Sequence, residues 1–237
     1  MIQNKIINFF KNIYNFSNPL DNFDLQKKIA VIGNSELIKK KKFGDLIDQH
    51  DFIIRFNRAP VSSYEKFVGK KTNLRVVGEG VFQNKEYEIP GLDYVGKNAN
   101  FIKNLKNENI LVLNNRKKEF YIKNQTKFTS KNNKIFFFNM QNERILKFKI
   151  SSNFNLFKKY IYYKKKEQFT SGMLIISLLL LKNYTPSIFG FSLDKLSDNY
   201  SNYWGGRGII KNPVHDLQVE NTILKNWINK KKVIYYK

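Results

Sequence analysis

The feature that most constrains the fold is a series of short apolar runs spaced along the chain. They are Lys28–Ile32 (KIAVI), Phe52–Arg55 (FIIR), Leu74–Val77 (LRVV), Ile110–Leu113 (ILVL), Ile135–Phe138 (IFFF) and Ser187–Phe191 (SIFGF). They are rich in β-branched or aromatic residues and lack in-out alternation, as do strands buried on both faces. Helical patterns separate them at Phe43–His50, Ser171–Lys182 and Asp216–Lys230, the last with Leu217, Ile223, Leu224 and Trp227 spaced to face inward. Residues 139–166 also read as helical, Glu79–Ala99 and Asp194–Pro213 read as loops, and Val233–Tyr236 closes the chain as a strand. Strands alternating with helices predict a single α/β, Rossmann-like domain: a mostly parallel sheet flanked by helices. In such sheets ligands sit beyond the carboxyl ends of the strands. Chemistry is therefore expected from Gly33, Arg55 and Gly190 onward.

Residues 1–26 read as an N-terminal helix and linker, and 27–237 as the main domain. Ile2, Ile6, Phe9, Phe10 and Ile13 form a helical stripe interrupted by Asn and Lys. That stripe reads as neither a signal peptide nor a spanning helix. It packs on its own domain or lies on an anionic membrane surface through Lys5 and Lys11. The longest apolar run, Met173–Leu181, is too short to cross a bilayer.

Hydrophobic residues make up 42% of the chain and aromatics 15%, which excludes global disorder. Lys and Arg total 42 against 19 Asp and Glu, a net charge of +23. Such a surface attracts polyanions, although an AT-rich coding sequence would enrich Lys and Asn in the same way. The basic residues are scattered and no nucleic-acid-binding motif occurs, so a nucleic-acid partner is not expected. With no Cys, disulfides and thiolate metal sites are excluded.

Three segments carry candidate chemistry. Gly33, Asn34 and Ser35 follow the first strand, and Asn57 follows the second. There a glycine turn turns backbone N–H groups toward a ligand, with neutral donors and acceptors beside them. Neither a G-x-G-x-x-G pattern nor a P-loop is present. Thr170, Ser171 and Gly172 open the buried helix, offering hydroxyls and free N–H groups to a carboxylate or phosphate. Gly190 and Phe191 end the following strand. His215 lies just before a helix start, with Glu220 five positions on. His50, the other histidine, precedes a strand and reads as structural.

These segments resemble the sialyl motifs of the family 29 sialyltransferases. The large motif is matched by Ile32-Gly33-Asn34-Ser35, Ile47-Asp48-Gln49-His50-Asp51-Phe52, Arg55-Phe56-Asn57-Arg58-Ala59-Pro60 and Val68-Gly69-Lys70-Lys71-Thr72. The small motif is matched by Phe169-Thr170-Ser171-Gly172 and Phe189-Gly190-Phe191, with its usual Pro missing and the two hydroxyl residues exchanged. The very small motif is matched by His215 and Glu220. The third motif departs: Asn202-Tyr203-Trp204-Gly205 stands where the family has a His and an acidic residue.

The resemblance implies a variant GT-A-type glycosyltransferase domain over 27–237 that is inverting and independent of metal. No Asp-x-Asp occurs, and neither metal nor cofactor is expected. It implies a CMP-activated acidic sugar as donor, with Gly33, Asn34, Ser35, Asn57, Thr170, Ser171, Gly172, Gly190, Phe191, Asn202 and Tyr203 around it. It gives the role of general base to His215, with Glu220 supporting. Where the chain departs from the family at Asn202, Arg207 or Lys211 is expected to supply the missing positive charge. Sialic acid is the default sugar and Kdo the alternative. A non-catalytic nucleotide- or glycan-binding relative is the further alternative. The acceptor is expected to be a glycan or glycolipid. Lacking the family's disulfide and a membrane anchor, the chain reads as a bacterial or viral type. The expected location is the cytoplasm, with peripheral contact to the inner face of the cytoplasmic membrane.

Overall fold

The computed structural model describes residues 16–25, 28–78, 108–113, 134–138, most of 143–150, 169–193, 200–204, 207–208 and 215–237. One seven-stranded sheet organises them. Its strands are β1 (Ile29–Ile32), β2 (Phe52–Phe56), β3 (Leu74–Gly78), β4 (Asn109–Leu113), β5 (Ile135–Phe138), β6 (Ser187–Phe189) and β9 (Ile234–Tyr236). The order is β5-β4-β3-β2-β1-β6-β9, and every neighbouring pair is parallel. Two further strands, β7 (Tyr200–Ser201) and β8 (Arg207–Gly208), pair antiparallel on their own. They fall in a segment expected to be loop. Two-residue strands among Asn, Ser and Gly are too short for periodicity to register.

Alternating residues of the strands feed two cores. Ile29, Val31, Phe52, Ile54, Leu74, Val76 and Leu111 join the first, with the helices α3 (Ser171–Leu181) and α4 (Leu217–Asn229). Ala30, Ile32, Ile53 and Phe189 join the second, where Ile47 of α1 (Gly44–Asp48) and Val68 of α2 (Glu65–Val68) pack. Helix α3 is apolar on every face because it is buried on nearly every face. Helix α4 is amphipathic and buries Ile223, Leu224 and Trp227. Leu217, expected to face the core with them, is half-buried and lines a cavity instead.

Of the expected N-terminal helix and linker, residues 1–15 lie outside the described residues. Residues 16–25 pack into the domain rather than forming a linker. Leu20 is fully buried, Asn18 donates from Nδ2 to the carbonyl of Leu178 at 3.0 Å, and the Tyr184 hydroxyl donates to the carbonyl of Leu25 at 3.1 Å. Lys182 pairs with Asp21. The expected loop at 79–99 and most of the expected helix at 139–166 also lie outside the described residues; Glu143, Ile145–Lys147, Lys149 and Ile150 are helical. No described helix is long and apolar enough to cross a membrane.

The chain builds outward from β1 in both directions: β2 to β5 on one side, β6 and β9 on the other. Between β1 and β6 the order reverses, and this is where parallel sheets leave a crevice. Register sets its floor: Ile32 lies opposite both Arg55 and Phe189, so Gly33, Phe56 and Gly190 emerge at one level.

Candidate active site

The floor of the crevice is a seam between two backbones. The N–H of Gly33 donates to the carbonyl of Phe189 at 2.7 Å, and that of Ser35 to the carbonyl of Gly190 at 3.0 Å. A Cβ on Gly33 would lie 2.4 Å from the Gly190 carbonyl oxygen, inside any permitted contact. Gly190 also has φ +67°, a conformation that only glycine takes without strain. The Phe191 ring lies across the seam, 3.0 Å from a Cβ at Gly33 and 2.8 Å from one at Gly172. The glycines at the first strand end and at the helix start thus let one aromatic ring sit against both.

On the β1–β2 wall, Asn34 accepts the N–H of Tyr203 through its backbone carbonyl at 3.0 Å. Its side-chain Oδ1 is buried and has no hydrogen-bond partner. Such an atom is costly, by about 1–3 kcal/mol, unless something donates to it. Asn57 takes a left-handed backbone, φ 49°, and its Oδ1 accepts from the N–H of Gly78 at 3.0 Å. That bond fixes the amide orientation and leaves Nδ2 as the donor of the side chain.

On the α3–α4 wall, Thr170 caps α3, accepting from the N–H of Met173 at 3.2 Å. Glu220 of α4 clamps that cap: its carboxylate accepts from the Thr170 N–H at 2.7 Å and from the Thr170 hydroxyl at 2.6 Å. Glu143 repeats the device one residue earlier, accepting from the N–H of Phe169 at 2.5 Å. Burial pushes the Glu220 carboxyl up to about 7, against the downward pull of its two bonds from Thr170. The start of α3, with the positive end of its dipole, therefore opens on the crevice. His215 precedes Asp216, which caps α4 by accepting the Val219 N–H at 3.0 Å.

A cavity of about 260 Å³ joins the two walls. Gly33, Asn34 and Asn57 line it from one side, Thr170, Ser171, Gly172 and Phe191 from the other, and His215 and Glu220 from α4 and its approach. Segments more than a hundred residues apart in the chain meet there. Sequence reasoning missed Phe56, Met173, Ser192, Leu217, Asn221 and Leu224. Phe56 and Ser192 adjoin residues it did single out; Asn221 follows Glu220 and had no signal of its own.

Ser35, Gly190, Asn202 and Tyr203, grouped with them in sequence, do not line the cavity. They form its backing. Ser35 bridges to Asn202 and caps the turn at Leu37 with its hydroxyl, at 3.3 Å. Tyr203 is fully buried and donates its hydroxyl to the Pro60 carbonyl at 2.5 Å. The third-motif segment is thus pinned to the large-motif loop from behind. Arg207 lies in β8 opposite Ser201, one residue from Asn202, while Lys211 lies outside the described residues. His50 is structural: its Nδ1 donates to the carbonyl of Leu46 at 3.0 Å, and its ring meets Phe189 edge-on.

The model of glycosyltransferase family 29 (sialyltransferase) matches residues 2–232. The chain belongs to that family. Among its relatives is the rat CMP-N-acetylneuraminate-beta-1,4-galactoside alpha-2,3-sialyltransferase, 40% identical over 81 residues, which are 33% of this chain and 21% of that protein. The human protein of the same name is 38% identical over 81 residues. The beta-1,6-galactosyltransferase GALT29A of Arabidopsis thaliana is 42% identical over 52 residues, 22% of this chain and 13% of the relative. The matched stretch thus spans about a fifth or less of these relatives' length. A crystal structure of a mammalian sialyltransferase in complex with Gal-beta-1-3GalNAc-ortho-nitrophenol superposes with TM-score 0.65 at 17% identity, covering 97% of this chain and 78% of that one. The family's α/β fold is therefore the fold of this chain.

Proposed function

We propose that this family 29 member transfers sialic acid from CMP-sialic acid to a hydroxyl of an acceptor glycan, with inversion, and that His215 is its general base. One observation carries the reading: His215 lines the same cavity as Asn34, Asn57 and Thr170. The cavity's donors and acceptors suit the nucleotide. Asn57 offers an N–H donor and Asn34 an unsatisfied acceptor, while Phe56 and Phe191 offer aromatic surface. With the donors of Thr170 taken by Glu220, Ser171 and the start of α3 suit the anionic groups.

In the reaction the acceptor oxygen forms a bond to the anomeric carbon as the bond from that carbon to the phosphate oxygen breaks. The electron pair leaves with CMP, and the acceptor proton passes to His215. Imidazole titrates near neutrality, which suits that transfer. The leaving phosphate gains charge, which helix dipole and hydrogen bonds stabilise. Arg207, whose strand pairs with the residue before Asn202, or Lys211 supplies the cation the third motif lacks. The acceptor is a glycan or glycolipid, and a charge of +23 draws the chain toward an anionic surface that carries it.

The test is CMP release, followed by mass spectrometry, from CMP-sialic acid or CMP-Kdo with acceptor and without added metal. An activated galactose serves as a third arm because a galactosyltransferase is among the relatives. Release is expected with CMP-sialic acid. The His215→Ala variant should lower acceptor-dependent release by about 10²–10⁴-fold while still binding CMP. Equal release by variant and parent would remove His215 from the mechanism.

A further inference from the structure

The large motif contributes Asn57 to the cavity from a left-handed turn, φ 49°. We infer that Arg75 is a positioning residue for donor binding, fixing Asn57 so that its amide nitrogen faces the nucleotide. This rests on the reading of the cavity as a CMP site.

The argument starts from the strand. Arg75 interrupts the apolar run of β3 and is 1% exposed. Its Nε and Nη2 donate to the two carboxylate oxygens of Glu108 at 2.6 and 3.0 Å. A bidentate pair of this kind fixes the plane of the guanidinium. The third nitrogen, Nη1, is thereby aimed at the loop after β2, where it donates to the carbonyls of Asn57 at 3.0 Å and Ala59 at 2.9 Å. Asn57 is held from two more directions, by its own N–H on the Val76 carbonyl at 2.8 Å and by its Oδ1 from Gly78 at 3.0 Å. Backbone carbonyl, backbone N–H and side-chain oxygen are all engaged, which leaves Nδ2 for the cavity that Asn57 lines. Asparagine tolerates the left-handed conformation better than most residues with a Cβ, and the Arg75 fork, holding the carbonyls on either side of Arg58, fixes where that turn sits. Lysine would keep the charge but not the fork.

A double-mutant cycle on the full chain tests this. CMP affinity is measured by calorimetry, and donor and acceptor KM and kcat by CMP release. Asn57→Ala is expected to weaken CMP binding about tenfold, the loss of one hydrogen bond. Arg75→Lys should do the same and raise donor KM, with acceptor KM unchanged. Together they should cost no more than either alone, because both remove one contact. Additive losses, or a fall in kcat with CMP affinity unchanged, would overturn the assignment. If Arg75→Lys does not give a cooperative melt, Glu108→Gln, which loosens the fork from its other end, takes its place in the cycle and the same outcomes decide. If the parent chain binds no CMP, the donor reading falls and this inference with it; CMP binding with additive losses removes Arg75 alone.

Discussion

Around one cleft, the β2–β3 side is held by buried arginines that grip backbone carbonyls, and the α3–α4 side by buried glutamates that grip backbone N–H groups. Arg55 and Arg75 stand opposite each other on adjacent strands. Arg55 donates to the carbonyls of Val68, Gly69 and Lys71 and to the Thr72 hydroxyl, at 2.5 to 3.3 Å. Across the cleft, Glu143 and Glu220 take the N–H groups of Phe169 and Thr170. Both devices order a loop end without covalent ties. They differ in what pH does to them. Burial, the larger cause, and the nearby Arg75 pull the Arg55 guanidinium down to about 10, so it stays charged at neutral pH. The Glu220 carboxyl, pushed up to about 7, changes state in the physiological range.

The contrast is broken most severely at Arg55. Arg55→Met leaves three carbonyls without a donor, and thermal melts should show a loss of about 3 kcal/mol. That loss should be the same at pH 6 and pH 8. A loss that varied across this range would mean the β2–β3 side also titrates.

Glu220→Gln sharpens the other half. Folding raises the Glu220 pKa from 4.5 to about 7. Its proton therefore favours the folded state below pH 4.5 fully, and that stability is lost as pH rises toward and through 7. Up to about 3 kcal/mol is at stake. Denaturant unfolding at several pH values should show the parent losing stability relative to the variant across this window, with parallel profiles above pH 8. Parallel profiles throughout would show that Glu220 titrates normally.

The smallest effect is expected at Tyr203→Phe. Burial pushes the Tyr203 hydroxyl up to about 12, so it keeps its proton and remains a donor to Pro60. Removing it should cost about 1 kcal/mol in chemical denaturation. It should also raise donor KM slightly, because the same segment bridges Ser35.

The strands were legible because parallel-sheet burial demands apolar runs, and each of the six named runs is a strand within a residue or two at its start, with Ser187–Phe191 stopping early at Phe189. The cleft residues were legible where chemistry and motif coincided, as at Asn34, Asn57, Thr170 and His215. Leu217 shows the limit of helical spacing: at the first turn of α4 it faces a void rather than the core. Tyr203 shows another, since an aromatic inside a site motif can be buttress rather than contact. Arg55 and Arg75 did carry a signal. A lone arginine within a run destined for burial must find partners for its whole fork, and the only abundant acceptors at a strand end are the carbonyls of the next loop. The helical segment around Glu143 was legible only as a mixed pattern, because its key bond is made to a residue 26 positions away.

The facing glycines at the strand ends have a practical consequence. Two absent methyl groups bring Gly33 and Gly190 together, in a chain that contains no sulfhydryl. The join between these two segments therefore has nothing in it that a thiol reagent can cut, and its geometry is the same in reducing and oxidising buffer. Its vulnerability is steric: one added carbon at either position would pry the halves apart.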